Sequence, residues 1–156
     1  MVEPALPPTP LARLLVSAAQ TLIDALHARL AARGVHDVRP QYGYVMLAAR
    51  AAPTTVTAIA ALMGVTKQAA SKLAAAMEAA GLLAREADAE DGRRVALALT
   101  ARGHAVLAEV EAIYAELEAE WANVLGAARV EALRADLARV VAAAHGGELP
   151  AVRPVS

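Results

Sequence analysis

The chain has 156 residues, a formal net charge of −1, no cysteine, and 58% hydrophobic residues, among which alanine is prominent. This length favours a single domain with a real core, and the absence of cysteine excludes disulfides, thiolate zinc sites and thiol-based redox sensing by the chain itself. No uncharged apolar run reaches about 18 residues, and no basic segment precedes an apolar one at the N-terminus, so we expect a soluble cytoplasmic protein without a membrane span or secretory signal.

The N-terminal third predicts a disordered segment and two helices. Residues 1–9 are proline-rich and are expected to be disordered. Thr9 can cap a helix with Pro10 at its first position, and leucines then recur at spacings of three and four as far as Gly34. A second helix is predicted from Pro40 to about residue 51, and its nearly continuous apolar sequence predicts burial on several sides.

Two short helical patterns, residues 55–63 and 66–81, are joined by a turn at Gly64. This is the helix-turn-helix arrangement, in which the second helix enters the DNA major groove. One side of that helix carries cations, an amide and hydroxyls, which suit phosphate oxygens and base edges. The residues expected to contact DNA are Thr66, Lys67, Gln68, Ser71 and Lys72. The apolar residues expected between the two helices are Ile59, Val65 and Leu73.

Two extended segments follow, residues 82–86 and 94–99, separated by a polar turn that contains Asp-Gly. This pattern predicts a β-hairpin, which makes the whole a winged helix. Arg93 or Arg94 at the hairpin tip can enter a minor groove, and Asp91 can hold one guanidinium by a bidentate pair. The alternative is a solvated tip with ordinary charges.

The C-terminal third predicts a long helix from Thr100 to Gly126 and a last helix ending at Gly146, both with apolar stripes at heptad-like spacing. We therefore predict a mainly α fold with a small β-hairpin wing, in one domain spanning residues 10–146. A DNA-binding winged helix-turn-helix at about 40–100 is flanked by N- and C-terminal dimerisation helices at about 10–33 and 101–146. Residues 147–156 are expected to be a flexible tail. Packing of the flanking helices within one chain is the alternative to dimerisation.

The chain resembles the MarR family of bacterial transcriptional regulators from about residue 10 to residue 145. The resemblance lies in the recognition segment VTKQAASKLAAAMEAAGLLAR and in the motifs of the wing and its exit, which are Asp88, Asp91-Gly92-Arg93-Arg94 and Leu99-Thr100-Ala101-Arg102-Gly103. It implies a homodimeric, sequence-specific regulator, most simply a repressor, that binds a pseudo-palindromic operator on double-stranded DNA.

The resemblance also implies release from DNA by a small, frequently aromatic effector bound between the dimerisation helices and the DNA-reading unit. The residues near that predicted junction are His36, Arg39, Tyr42 and Tyr44. For each of them the simpler alternative stays open, because tyrosines at helical spacing are usually core and a lone loop histidine is usually solvated.

Two other classes of function compete with this interpretation. The sequence has no nucleophile elbow, phosphate loop, zinc-protease motif or dinucleotide fingerprint, so we expect no enzyme, no catalytic residue, no metal and no cofactor. A winged-helix protein-interaction module without specific DNA binding would fit the net charge of −1. Four cations discriminate, since internal pairing of Lys67, Lys72, Arg93 and Arg94 would favour the interaction module and free exposure would favour DNA.

Overall fold

The computed structural model describes residues 8–87 and 90–154. Within these ranges it has six helices and one antiparallel hairpin, which confirms the predicted fold class. The elements are α1 (Leu11–Ala32), α2 (Pro40–Ala51), α3 (Val56–Met63), α4 (Lys67–Ala79), β1 (Leu83–Ala87), β2 (Val95–Leu99), α5 (Ala101–Leu125) and α6 (Ala127–Ala144). Asp88, residues 1–7 of the N-terminal segment and residues 155–156 lie outside the described residues.

Threonine side chains begin three of the helices. The hydroxyl oxygens of Thr55, Thr66 and Thr100 each accept a hydrogen bond from the backbone N–H three residues further on, at 3.1, 3.2 and 3.0 Å. This satisfies an N–H group that has no partner within the helix. The prediction for α1 is wrong by one residue, because Pro10 rather than Thr9 occupies the capping position and accepts the first backbone bond, from Arg13.

The reading unit (residues 40–100) packs α2, α3, α4 and the hairpin around one core. Met46, Ile59 and Met77 are fully buried in it, and Leu73 packs against it. The prediction that Val65 fills the space between α3 and α4 is wrong. Val65 lies in the turn after Gly64, outside both helices, and its side chain is 43% exposed.

The hairpin is anchored to the rest of the reading unit at Leu97. Its strands pair in antiparallel register from Leu83 opposite Leu99 to Ala87 opposite Val95. Leu97 also exchanges two backbone hydrogen bonds with Thr54, at 2.9 and 2.7 Å. Neighbouring residues 96 and 97 are both buried, because β2 packs against α2 as well as α5.

A glycine allows the start of α5 to pack closely against the reading unit. A Cβ atom at Gly103 would lie 2.5 Å from the carbonyl oxygen of Leu82 and 2.5 Å from the Cδ1 atom of Leu99. The Thr100 hydroxyl that caps α5 also donates to the Gly81 carbonyl at 2.5 Å. The Thr-x-x-Gly spacing therefore fixes where the long helix meets the reading unit.

The flanking helices (α1, α5 and α6) are held by ion pairs and leave apolar residues uncovered. Arg29 of α1 and Arg33, which directly follows that helix, pair with glutamates of α5, for example Arg29 with Glu116 at 3.1 Å and Arg33 with Glu109 at 2.7 Å. Large apolar side chains nevertheless remain exposed along these helices, namely Leu11, Leu14, Leu15, Val16, Val124, Leu125, Leu133, Val140 and Val141. Across the part of the chain that the structure describes, no helix combines the length and hydropathy needed to cross a membrane.

Candidate nucleic-acid interface

Helix α4 has the two faces that its sequence predicts. Ala70, Ala74 and Met77 are fully buried against the core. The opposite side is open to solvent and carries the residues expected to contact DNA, which are Lys67, Gln68, Ser71 and Lys72. Thr66 is exposed at the start of the helix, beside the first of them. The fold thus presents the polar groups of α4 together on its outer side.

The chemistry of this face suits phosphates and base edges. Lys67 and Lys72 are the only lysines in the chain, and neither has an ion-pair or hydrogen-bond partner among the described residues. The Thr66 hydroxyl accepts a hydrogen bond from Ala69 as the helix cap, which leaves its hydrogen free to donate. A helix N-terminus also favours an anion through its unpaired N–H groups and its dipole.

Residue Glu78 adds the one acidic side chain of α4, and the fold neutralises it. The Nε atom of Arg85 on β1 donates to both carboxylate oxygens of Glu78, each at 3.0 Å. This pair joins the recognition helix to the first strand of the wing. The sequence does not predict this pair, because the two residues stand on opposite sides of the turn at Gly81 and no helical or strand spacing relates them.

The wing tip is shaped by Asp91, although not in the way that the sequence predicts. The Asp91 carboxylate accepts a hydrogen bond from the backbone N–H of Arg93 at 3.1 Å, and the Asp91 carbonyl accepts one from the N–H of Arg94 at 2.9 Å. The expected bidentate pair with a guanidinium is absent among the described contacts. A short side chain two residues before an N–H group closes a local turn more readily than it reaches an outward-pointing guanidinium.

The four discriminating cations are all free in the described part of the chain. Lys67, Lys72, Arg93 and Arg94 are exposed, and none forms an ion pair with a described residue. By contrast, the arginines on other surfaces that contact acids include Arg29, Arg33, Arg50, Arg85, Arg102 and Arg134. The cations of the recognition helix and the wing tip therefore keep their charge available to a partner.

A second arginine contact fixes the reading unit to the flanking helices. Arg102 at the start of α5 makes a bidentate pair with Asp37, at 2.8 and 3.1 Å, and its guanidinium also donates to the carbonyl oxygen of Ala80. The neighbouring guanidinium lowers the pKa of the Asp37 carboxyl. One side chain thereby ties the end of α4 to the loop that precedes α2.

A cavity of about 490 Å³ lies between α1, α2 and α5, where the flanking helices meet the reading unit. We call it the junction cavity. Of the four residues predicted to hold an effector, Arg39 and Tyr44 line it. His36 and Tyr42 do not. His36 is exposed in the loop before α2, and Tyr42 lies on the opposite side of α2, where it is buried in the core.

The walls of the junction cavity are mostly apolar, with a few titratable groups. Burial raises the pKa of the Tyr114 phenol, and nearby Tyr44 adds to that shift. Burial lowers the pKa of the His27 imidazole, against the opposing effect of its hydrogen bond with the backbone of Val38, so the neutral ring is favoured. His27 was not predicted here, because no motif relates it to residues 39–44.

Two lining residues come from the C-terminal segment that was predicted to be a loose tail. Val152 and Arg153 both line the junction cavity. No sequence signal connects them to it, since α6 must first return the chain to this end of α5. Elsewhere in the described ranges, no group of three or more His, Asp or Glu side chains is arranged to hold a metal ion.

Comparison with known proteins finds a family match over part of the chain and several solved structures with a similar fold. A family model described as the MarR family matches residues 36–94. No curated protein matches the sequence. The transcriptional regulator BldR from Sulfolobus solfataricus has a similar structure, with a TM-score of 0.62 and 23% identity over 85% of this chain and 92% of that one.

Two bacterial structures give similar agreement. Wild-type MarR from E. coli in its apo form has a TM-score of 0.71 and 23% identity, over 87% of this chain and 99% of its own. MepR from S. aureus, solved with bound ethidium bromide, has a TM-score of 0.59 and 21% identity, over 86% and 96%. These likenesses extend the shared fold beyond residues 36–94 to the flanking helices.

Proposed function

We propose that the chain is a member of the MarR family, whose model matches residues 36–94, and that it is a sequence-specific DNA-binding regulator that binds a pseudo-palindromic operator as a homodimer. The observation that carries the proposal is the exposure of Lys67, Lys72, Arg93 and Arg94 without described ion-pair partners. Repression is the simplest mode for such a protein, and a reporter under its own promoter distinguishes repression from activation.

The recognition helix supplies base contacts and the wing supplies phosphate or minor-groove contacts in this proposal. Gln68 suits adenine through a bidentate amide pair, and Lys67 or Lys72 suits guanine or phosphate. The hydroxyl groups of Ser71 and Thr66 donate hydrogen bonds to phosphate oxygens. Arg93 and Arg94 extend into an adjacent minor groove, where A·T tracts concentrate negative potential. Asp91 positions them by holding the backbone of the turn.

The homodimer is supported by the uncovered apolar side chains of the flanking helices. Leu11 is 69% exposed and Val140 is 68% exposed, although both stand at core-type spacing in their helices. Apolar patches of this kind usually mark protein–protein contacts. Two reading units related by a twofold axis would then need half-sites separated by about 34–36 Å, which is one turn of DNA.

The test is titration of the purified protein against its own upstream intergenic DNA at two salt concentrations, with the mass of the free protein measured alongside. We expect a dimer whose binding resists competitor DNA and weakens steeply with salt. Lys67→Ala should weaken binding to every sequence and flatten the salt dependence. Arg129→Ala is the matched control, because Arg129 is an exposed cation on α6 that has no ion pair with a described residue.

Other outcomes would redirect the proposal. If Lys67→Ala changed only the preferred sequence, Lys67 would be a base reader. If the dimer bound all DNA weakly and equally, the protein-interaction module would become the better interpretation, and a partner would be sought by pull-down.

We further propose that a small aromatic or apolar effector binds the junction cavity. The volume of about 490 Å³, the two phenols of Tyr44 and Tyr114, and the cation of Arg39 support this. The ethidium-bound MepR structure supports it as well, because that protein shares the fold. Such a ligand would lie where a change in helix packing can alter the placement of the reading unit.

Gly43 allows a clean test of the effector site. It lines the junction cavity, and an added Cβ atom there would meet nothing within 4 Å, so a side chain can start at this position, and we expect Gly43→Leu to occupy part of the cavity. In a screen of aromatic ligands, an effector should release DNA from the parent protein and leave the Gly43→Leu complex intact. Release from both proteins alike would place the effector elsewhere.

A further inference from the structure

The C-terminal segment (residues 148–154) follows α6 and reaches the junction cavity. Two glycines with positive φ, Gly146 at +71° and Gly147 at +98°, turn the chain at the end of the helix. Such angles are readily adopted only by glycine. Val152 and Arg153 then stand among the lining residues of the junction cavity, beside side chains from α1, α2 and α5. The turn thus directs the segment to a specific place.

The sequence of the segment keeps it extended. Leu149 precedes Pro150 and Arg153 precedes Pro154, and a residue before proline is biased towards extended backbone. Each proline also has a fixed φ and no N–H group. An extended segment of this kind loses less conformational entropy when it lies along a surface than a glycine-rich one would. The C-terminal segment is therefore a stiff, extended segment and not a flexible coil.

Only weak contacts hold the C-terminal segment in place. No residue from 148 to 154 forms a hydrogen bond or ion pair with any described residue. Val152 is itself 61% exposed, so only part of its side chain is covered where it meets the cavity. Contacts of this size contribute little free energy, which means that the segment can leave the cavity when a competing apolar group arrives.

We propose that the C-terminal segment is a displaceable lid on the junction cavity, with Val152 as the residue that occupies its mouth. A ligand of the cavity must displace this lid, so the apparent affinity of the cavity equals its intrinsic affinity multiplied by the fraction of molecules in which the lid is open. The inference needs no DNA and rests on the proposed effector function only for its biological meaning.

The experiment measures binding of the anionic apolar dye 8-anilinonaphthalene-1-sulfonate to DNA-free protein by fluorescence titration. Four proteins are compared with the full chain: one that ends after Gly147, Val152→Ser, Leu149→Ser, and the shortened protein that also carries Gly43→Leu. Leu149 is the matched control, because it lies in the same segment, is 64% exposed and does not line the cavity. The mass of each protein is recorded to confirm an unchanged assembly.

We expect the shortened protein to bind the dye about three- to tenfold more tightly and Val152→Ser to show part of that gain. Leu149→Ser should bind as the full chain does, and Gly43→Leu should abolish the gain. The proposal fails if shortening leaves the affinity unchanged, if it weakens binding, which would make the segment part of the site, or if the gain survives Gly43→Leu. Val152→Ser decides the matter if the shortened protein assembles differently.

Discussion

The cations of the recognition helix and wing tip differ from most of those on the flanking helices, because the former have no described ion-pair partner and the latter are paired with acids. In the reading unit, Lys67 and Arg94 stand in solvent without a described ion-pair partner. On the flanking helices, Arg29, Arg33 and Arg134 are each held by glutamates. The net charge of −1 therefore conceals a local positive surface, because the acids that balance the total are largely engaged elsewhere.

The two regions also differ in how much of their apolar side chains they bury, and here it is the flanking helices that leave groups without a partner. The reading unit covers nearly all of its large apolar residues and leaves Val65 and Val95 exposed among those that the structure describes. The flanking helices leave whole stripes uncovered, including Leu14 and Val140. One region has free charge and the other has free apolar surface. The first suits a polyanion, and the second suits another apolar surface such as a second copy of the chain.

The largest effect is expected from removing the free charge. Replacing Arg93 and Arg94 together by alanine should reduce operator affinity on the order of 100-fold and make the slope of log affinity against log salt less steep by about two. Stability should hardly change, since neither guanidinium forms a hydrogen bond or ion pair with a described residue. Fluorescence anisotropy across a salt series measures both quantities. An unchanged slope would mean that the wing does not reach DNA phosphates.

Charging the free apolar surface should separate the proposed dimer. Leu11→Asp with Val140→Asp introduces two acids at positions that are exposed in the single chain, so the fold itself should tolerate them. We expect the solution mass to fall to that of one chain and operator affinity to fall with it. Light scattering after gel filtration checks the mass. Val95→Asp is the control, and equal loss of dimer there would refute the assignment of the interface.

The sequence alone predicts the structural features that depend on residues close together in the chain. Threonine caps and positive-φ glycines mark the ends of α3 and α4, and helical spacing separates the buried face of α4 from its exposed face. It failed where two local partners compete, as at Asp91, and where a partner comes from a distant element. Asp91 binds a nearby N–H group rather than a guanidinium, Tyr42 faces the core, and Val152 reaches a cavity that only the folded chain creates.

Substitutions at two glycines test the close packing between the reading unit and the flanking helices. Gly103→Ala should destabilise the fold by about 1–3 kcal/mol, because the added methyl group would lie 2.5 Å from a backbone oxygen that cannot easily move. Gly43→Ala is the matched control, since its methyl group meets nothing and helix propensity should stabilise the fold by about 0.5–1 kcal/mol. Urea denaturation measures both. Equal effects would show that the close approach at Gly103 is unimportant.

The smallest effect on DNA binding is expected from removing a cation that is paired with acids of the flanking helices. Arg33→Gln removes contacts with Glu109 and Glu116, so the urea midpoint should fall slightly, while operator affinity and its salt slope stay unchanged.

Arg33 lowers the pKa of the Glu116 carboxyl. The stabilisation from this pair is therefore present above the ordinary pKa of glutamate, about 4.3, and is lost as the pH falls through the lowered value. The parent and Arg33→Gln midpoints should converge in acid. A large loss of DNA affinity in Arg33→Gln at neutral pH would instead mean that the ion pairs of the flanking helices control the placement of the reading unit.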